Sequence, residues 1–235
     1  MWRCVRVIGI AWLGVKNVQQ IRVSQVIDHL AEPYLVSWKL KNKDYEKISA
    51  EALTIGSFID QYVKDDLNGV ERLPGAYPIN VANCVKAWFK FKEDRPDVVE
   101  RLVKYRHNMQ RELVLGDLVG HPDFILDDEV IDLKTSKRIS KSHWMQTAQY
   151  AWMWEKINKH PAFTKTYVGF TTMKKISVLR LCKETGTYEY RTLEEPFFTF
   201  WQRKFQARYE CFKEEVEFTQ MMRVKLEDET DVEFT

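Results

Sequence analysis

Val119–Leu126 and Glu129–Leu133 are apolar-rich runs, with the polar pair Asp127-Asp128 between them. Short apolar-rich runs read as strands, and the acidic pair marks a tight turn, so this stretch is predicted to be a β-hairpin. A further strand is predicted over Gln110–Leu115, just ahead of it. Upstream the pattern takes the period of a helix over Ser24–Lys64 and Ile79–Tyr105, interrupted by the turn Leu73-Pro-Gly-Ala-Tyr-Pro78.

After Ser140 a helical stretch rich in aromatic residues carries Trp144, Trp152 and Trp154, which read as core packing against the sheet. Three strand-like runs follow, Lys165–Met173, Ser177–Lys183 and Thr187–Thr192, the last two joined by a Glu-Thr-Gly turn. A long closing helix is predicted over Glu194–Gln220, with Phe197, Phe198, Trp201 and Phe205 as its core stripe. Strands interleaved with helices in this order predict one α/β domain with helical additions. No repeat or linker divides the chain.

The hairpin also carries chemistry. Residues i and i+2 of a strand share a face, so Asp132 and Lys134 project together while Leu133 packs behind them. The Leu133 backbone carbonyl is then free to complete a metal's oxygen shell. Asp123 and Asp132 are oxygen donors suited to a hard divalent cation, and Lys134 puts positive charge beside them. Phosphodiester hydrolysis needs polarisation of a phosphoryl oxygen, a water of lowered pKa, and positive charge where the transition state accumulates negative charge. Gln146 and Tyr150 lie four apart, on one face of the helix that follows. Lys137, Arg138 and Lys141, in the loop before that helix, are candidates for contacts with a nucleic-acid backbone.

Gly120-x-x-Asp123, Asp132-x-Lys134 and Gln146-x-x-x-Tyr150 together resemble the successive motifs of the PD-(D/E)XK nuclease superfamily, in particular its RecB-like exonuclease branch. Relatives in that branch include phage exonucleases, CRISPR adaptation nucleases and the mitochondrial genome-maintenance exonuclease. Asp-x-Lys alone occurs by chance; three motifs in order, in strand, strand and helix contexts, make the signal specific. The resemblance implies a restriction-endonuclease-like central mixed sheet flanked by helices, with an N-terminal helical subdomain walling the cleft. It implies a core over residues 107–235, a helical wall over 1–106, and one compact domain overall. Asp123, Asp132 and the Leu133 carbonyl would hold one or two Mg2+ or Mn2+ ions, Lys134 would act beside them, and Gln146 and Tyr150 would contact the DNA strand.

Three further residues depend on the alignment. Gly56-Ser-Phe-Ile-Asp60 stands where relatives carry Gly-x-x-x-His, so Asp60 reads either as a carboxylate replacing that metal ligand or as a solvated neighbour of Lys64, Asp65 and Asp66. The first reading is preferred, because an oxygen donor suits magnesium and manganese. Glu112 reads as a residue that joins the metal site or holds the lysine, or else as an exposed strand glutamate. His121 shares a face with Asp123 and is placed to hydrogen-bond a phosphate or a neighbour rather than to bind metal. Glu129 is set aside, since its odd spacing from Asp132 puts it on the opposite face.

Composition narrows this reading without choosing it. A 235-residue chain that is 45% hydrophobic supports one substantial core. Its formal net charge of +2 requires any nucleic-acid surface to be a local basic groove. Cys4, Cys84, Cys182 and Cys211 are too dispersed for a zinc ribbon, and they lack the late cluster of the iron–sulfur relatives, so no iron–sulfur cluster is expected. Val7–Val15 is apolar but too short to span a bilayer. The expected setting is the cytoplasm of a viral, phage or microbial system, with the mitochondrial matrix as second choice. The expected activity is a metal-dependent DNA exonuclease in recombination, replication, repair or end processing. Its partners would be linear or single-stranded DNA ends and a recombination or single-strand-annealing protein, with no membrane. The alternatives are a catalytically degenerate nuclease fold that only binds nucleic acid, and an endonuclease of the same superfamily.

Overall fold

A computed structural model describes residues 20–29, 33–71, 76–159 and 172–230. In chain order the elements are β1 (Ile21–Arg22), α1 (Val23–His29), α2 (Pro33–Lys41), α3 (Tyr45–Leu67), α4 (Ile79–Asp94), α5 (Pro96–Lys104), β2 (Leu113–Leu115), β3 (Leu118–Gly120), β4 (Phe124–Ile125), β5 (Glu129–Lys134), α6 (Lys141–Lys159), β6 (Lys175–Leu181), β7 (Tyr188–Glu194) and α7 (Phe197–Thr230). The strands form two mixed sheets, ordered β1-β3-β2 and β4-β5-β6-β7. In the larger sheet β5 and β6 run parallel, with Asp132 opposite Val178, while β4 and β7 are antiparallel edges. The parallel step requires a crossover, and α6 lies within the segment that makes it.

The larger sheet is covered by helices on both faces, because its strands alternate apolar residues to both sides. Ile125, Val130 and Ile176 join a core with α1, α6 and α7, through residues such as Val26, Ala148, Met153 and Phe205. Phe124, Leu126, Ile131, Leu133, Leu179 and Leu181 join a second core with α3, α4 and α5, through Ile59, Val63, Trp88, Phe91 and Leu102. Helices from the N-terminal side of residue 106 therefore pack directly on the strands that follow it. The expected central mixed sheet with helices on both faces is present. Ile55, Ile59, Val63 and Leu67 recur every four residues, giving α3 a continuous buried stripe.

Several element boundaries differ from expectation. The run Val119–Leu126 is not one strand: His121-Pro122-Asp123 interrupts it and carries the chain from the smaller sheet to the larger one. Pro122 has no N–H to donate to a ladder, so pairing stops there. The strand expected from Gln110 begins only at Leu113, since Gln110 adopts φ 49°, outside the β region. The helical run Ile79–Tyr105 divides at Arg95, where Pro96 opens α5 in the first-turn position that suits proline. In α7, Phe198 and Phe205 are buried, but Phe197 is 62% exposed because it lies one residue off their face. Val7–Val15, residues 73–75 of the predicted turn, and most of the strand expected over Lys165–Met173 lie outside the described residues, as does Cys4. Among the described residues, no helix is long and apolar enough to cross a membrane.

Candidate active site

The site forms where β4 begins and β5 ends. Asp123 comes immediately before β4, so its side chain, rather than a ladder carbonyl, accepts the Leu133 N–H, with Oδ2 at 2.7 Å. In an extended strand the N–H and C=O of one residue point to the same side. The Leu133 carbonyl therefore faces the edge of β5 that Asp123 borders. Asp132 and Lys134 share the face of β5 beneath α6, and the lysine Nζ donates to Asp132 Oδ1 at 2.9 Å. It also lies 2.8 Å from Oδ2, but at an angle that makes no hydrogen bond. Asp132 is 2% exposed, so its charge is largely dehydrated and held by this single lysine.

From the opposite layer, α3 brings Asp60 to the same point. A methyl group placed on Gly56 would sit 3.6 Å from Thr135 Oγ1, so the helix passes closely by the end of β5. One turn later Asp60 accepts bonds through Oδ2 from Lys64 and from Gln110 Nε2, the latter at 2.6 Å, and its charge is felt at Asp123. Gln110 also donates its backbone N–H to the Asp123 carbonyl at 3.2 Å. It thus ties the helix to the hairpin, a role its left-handed backbone makes possible.

The helix α6 closes the site from above. Gln146 Nε2 donates to the Tyr150 hydroxyl at 3.0 Å, and the tyrosine ring lies over Gly120. A Cβ at position 120 would fall 2.6 Å from Tyr150 Cε1, so only glycine admits the ring there. Trp154 is buried and Trp144 and Trp152 pack partly buried against the same core, as expected of structural aromatics.

Electrostatically the cluster is costly. Burial, the Asp132 carboxylate and the Asp60 carboxylate push the Asp123 pKa up to about 7, against the opposing pull of Lys134 and the Leu133 N–H. Asp132 is raised by burial, with Lys134 opposing. Burial works to lower the Lys134 pKa, but the carboxylates of Asp132 and Asp123 hold it above its ordinary value. Burial, reinforced by Asp132, raises the Tyr150 phenol as well, so it remains a hydroxyl. Two buried oxygens, Asp60 Oδ1 and Asp132 Oδ2, receive no hydrogen bond. Among the described residues no three His, Cys, Asp or Glu side chains are already drawn together as a closed metal cage. The donor set nonetheless fits a hard cation: carboxylate oxygens without donors, plus a strand-edge carbonyl.

Other expected residues lie elsewhere. Glu112 precedes β2 and pairs with His121 at 3.3 Å, both side chains more than half exposed. They satisfy one another at the surface, and neither is among the charges acting on Asp123, Asp132 or Lys134. Lys137 is exposed and faces Glu184 at 3.7 Å, while its carbonyl accepts a bond from Arg180. Lys141 is exposed at the start of α6, and the Arg138 carbonyl accepts the Ser136 hydroxyl, bracing the loop. Two neighbours of the cluster were not anticipated: Gln110, which bonds Asp60 and Asp123, and His143, on which the Lys134 charge acts. Gln110 leaves no sequence signal, since its role depends on a backbone turn. His143 had one: it is three residues before Gln146 and seven before Tyr150, on the same helical face.

The chain matches no family model and no curated protein sequence. Among solved structures it aligns with LHK-Exo, an alkaline exonuclease from Laribacter hongkongensis, at 12% identity and TM-score 0.32, over 89% of this chain and 95% of that one. The same enzyme in complex with dAMP aligns at 13% identity and TM-score 0.31, over 89% and 95%. SSO0001 aligns at 12% identity and TM-score 0.27, over 66% of this chain and 85% of that one. Alignments this loose transfer no residue role to this chain.

Proposed function

We propose that this protein is a divalent-metal-dependent nuclease of the PD-(D/E)XK type that hydrolyses phosphodiester bonds in DNA, acting from ends. The observation that carries the reading is the convergence of Asp123, Asp132 and Lys134 with two buried carboxylate oxygens, Asp60 Oδ1 and Asp132 Oδ2, that accept no hydrogen bond. The single Lys134 ammonium, 2.8 Å from Asp132 Oδ2, is shared between the Asp132 and Asp123 carboxylates, and buried negative charge in excess of its partners is disfavoured unless something else neutralises it.

Asp123, Asp132, the Leu133 carbonyl and Asp60 would hold Mg2+ or Mn2+, which supplies Lewis-acid activation of water and phosphate. The remaining chemistry belongs to the chain. Lys134 stays protonated and is fixed by Asp132, so its ammonium is oriented toward charge developing on the phosphoryl oxygens. Tyr150 stays protonated and is oriented by Gln146, so its hydroxyl can donate to a DNA phosphate. Lys137, Arg138 and Lys141 would follow the backbone of the strand beyond the scissile bond.

The test is purified protein on end-labelled linear and on covalently closed DNA, single- and double-stranded, with Mg2+ or Mn2+. Cleavage restricted to linear substrates supports the exonuclease reading. Cleavage of closed circles makes the protein an endonuclease of the same chemistry. Metal-dependent binding without cleavage of any substrate makes it a degenerate fold.

A further inference from the structure

The N-terminus of α6 is closed by a reciprocal pair. The Ser140 hydroxyl faces the His143 N–H at 3.5 Å, and the Ser140 N–H donates to His143 Nδ1 at 3.2 Å. This is the arrangement of a capping box, in which the third helical residue is ordinarily Glu or Gln. Histidine closes the box differently. Accepting the Ser140 N–H through Nδ1 requires a ring without a proton there, so in the neutral ring the proton is on Nε2. Nε2 has no protein partner among the described residues. Burial and the neighbouring Lys134 charge lower the His143 pKa to about 3, which keeps the ring neutral. The ring lies on the same helical face as Gln146 and Tyr150, and it is close enough to Lys134 to feel its charge.

We propose that His143 is a substrate-contacting residue, whose neutral Nε2–H donates to a phosphate oxygen of the DNA beside Lys134. The proposal rests on the nuclease reading above. A glutamate would serve the helix cap equally well, but it would put a carboxylate next to Lys134 and repel the phosphate. Histidine meets both requirements, because one nitrogen serves the helix and the other faces the cleft.

Three substitutions separate the two roles. His143→Gln keeps the cap and a neutral donor, His143→Glu keeps the cap but offers a charge and no donor, and His143→Leu keeps neither. The readouts are the melting temperature and kcat/KM on an end-labelled oligonucleotide with Mg2+, at a temperature where all the proteins are folded. The Glu variant is expected to melt with the wild type yet lose about tenfold to a hundredfold in kcat/KM, the value of a hydrogen bond to a charged group. Gln should stay within about threefold of wild type, and Leu should show the loss of activity together with a lower melting temperature. Full activity in the Glu variant, or loss in the Gln variant equal to that in Leu, would overturn the proposal and leave His143 a helix cap. If the Glu variant fails to fold, the comparison of Gln with Leu decides. A wild type that cleaves nothing with either metal brings down the nuclease reading and this proposal together. A wild type that cleaves, with variants that do not differ from it, brings down this proposal alone.

Discussion

Strand β5 buries a carboxylate on each of its faces, and the two are treated in opposite ways. Glu129, 1% exposed, faces the layer of α3–α5 and is fully paired. Its Oε2 receives Arg101 at 2.7 Å, with Lys175 at 3.5 Å, and its Oε1 accepts the hydroxyls of Ser177 and of Tyr190, the latter at 2.5 Å. Asp132, 2% exposed on the other face, has one lysine, which lies 2.8 Å from Oδ2 but hydrogen-bonds only Oδ1, so Oδ2 accepts no hydrogen bond. Burial is the same in both cases, so burial alone does not identify function. What differs is satisfaction: the Glu129 network is closed, whereas the Asp132 cluster has unmet coordination, which is what a binding site has to offer. The comparison can be broken by making each face behave like the other.

The largest expected effect is on cleavage. Asp132→Asn, Asp123→Asn and Lys134→Ala should each reduce kcat by about 10²–10³-fold or more, the scale on which a preorganised charge at a reacting group matters. Circular dichroism should show the fold retained. Glu129→Gln should leave the rate per folded molecule unchanged, and a loss matching that of Asp132→Asn would erase the distinction between the faces.

The second effect is on stability, and it runs the other way. Glu129→Ala leaves Arg101 and Lys175 facing a buried gap, and removing one partner of a buried ion pair costs roughly 3–5 kcal/mol. The lower end is expected, because Arg101 keeps Asp127 at 2.7 Å and Asp128 at 2.6 Å. Urea unfolding measures it. Asp132→Asn should cost less metal-free stability than Glu129→Ala, since it removes one of two carboxylates that share Lys134 and leaves Asp123 facing the ammonium.

A third prediction concerns pH in metal-free protein. Asp123 and Asp132 have folded-state pKa values above their unfolded ones, so folding takes up protons. Their contribution therefore disfavours the fold increasingly as pH rises from about 4 to about 7. Lys134, held above its ordinary lysine value by the two carboxylates, adds no slope in that window. Mg2+ should remove the penalty, adding about 2.7 kcal/mol at a hundredfold excess over its Kd. Melting scans across that window, with and without Mg2+, check it: a flat metal-free profile in the wild type, or no flattening in Asp123→Asn, contradicts the electrostatic account.

The smallest and most discriminating effect is at Asp60. Asp60→Ala should raise the metal concentration needed for half-maximal cleavage, and Asp60→His should keep activity while moving preference from Mg2+ toward Mn2+, since imidazole is the softer donor. Titration with each metal reads both, and unchanged curves place Asp60 outside the coordination shell.

How much of this was legible in the sequence depends on the range of the interaction involved. Asp132 and Lys134 face together because a strand repeats every two residues, and Gln146 meets Tyr150 because a helix repeats every 3.6; both follow from local geometry. Apolar runs predicted the β4–β5 hairpin, a Glu-Thr-Gly sequence the β6–β7 turn, where Gly186 takes φ +69°, and helical periods the helices, although the stretch expected over Ser24–Lys64 divides into α1, α2 and α3. The breaks at Pro122 and Arg95-Pro96 were locally encoded too, but the continuous apolar pattern around them masked the punctuation. Other features had no local origin. Asp60 reaches Asp123 only because α3 packs across the sheet, and Gln110 ties the two together only because its backbone turns left-handed. Glu112 and His121 bind one another because β2 and β3 pair in the register that sets Leu113 opposite Gly120, placing each next to the other's strand end. Sequence spacing by itself determined which side chains share a face of one element. Which faces meet, and which buried charge is only partly paired, was decided only when the layers closed around the sheet, because burial and pairing are properties of neighbours far apart along the chain.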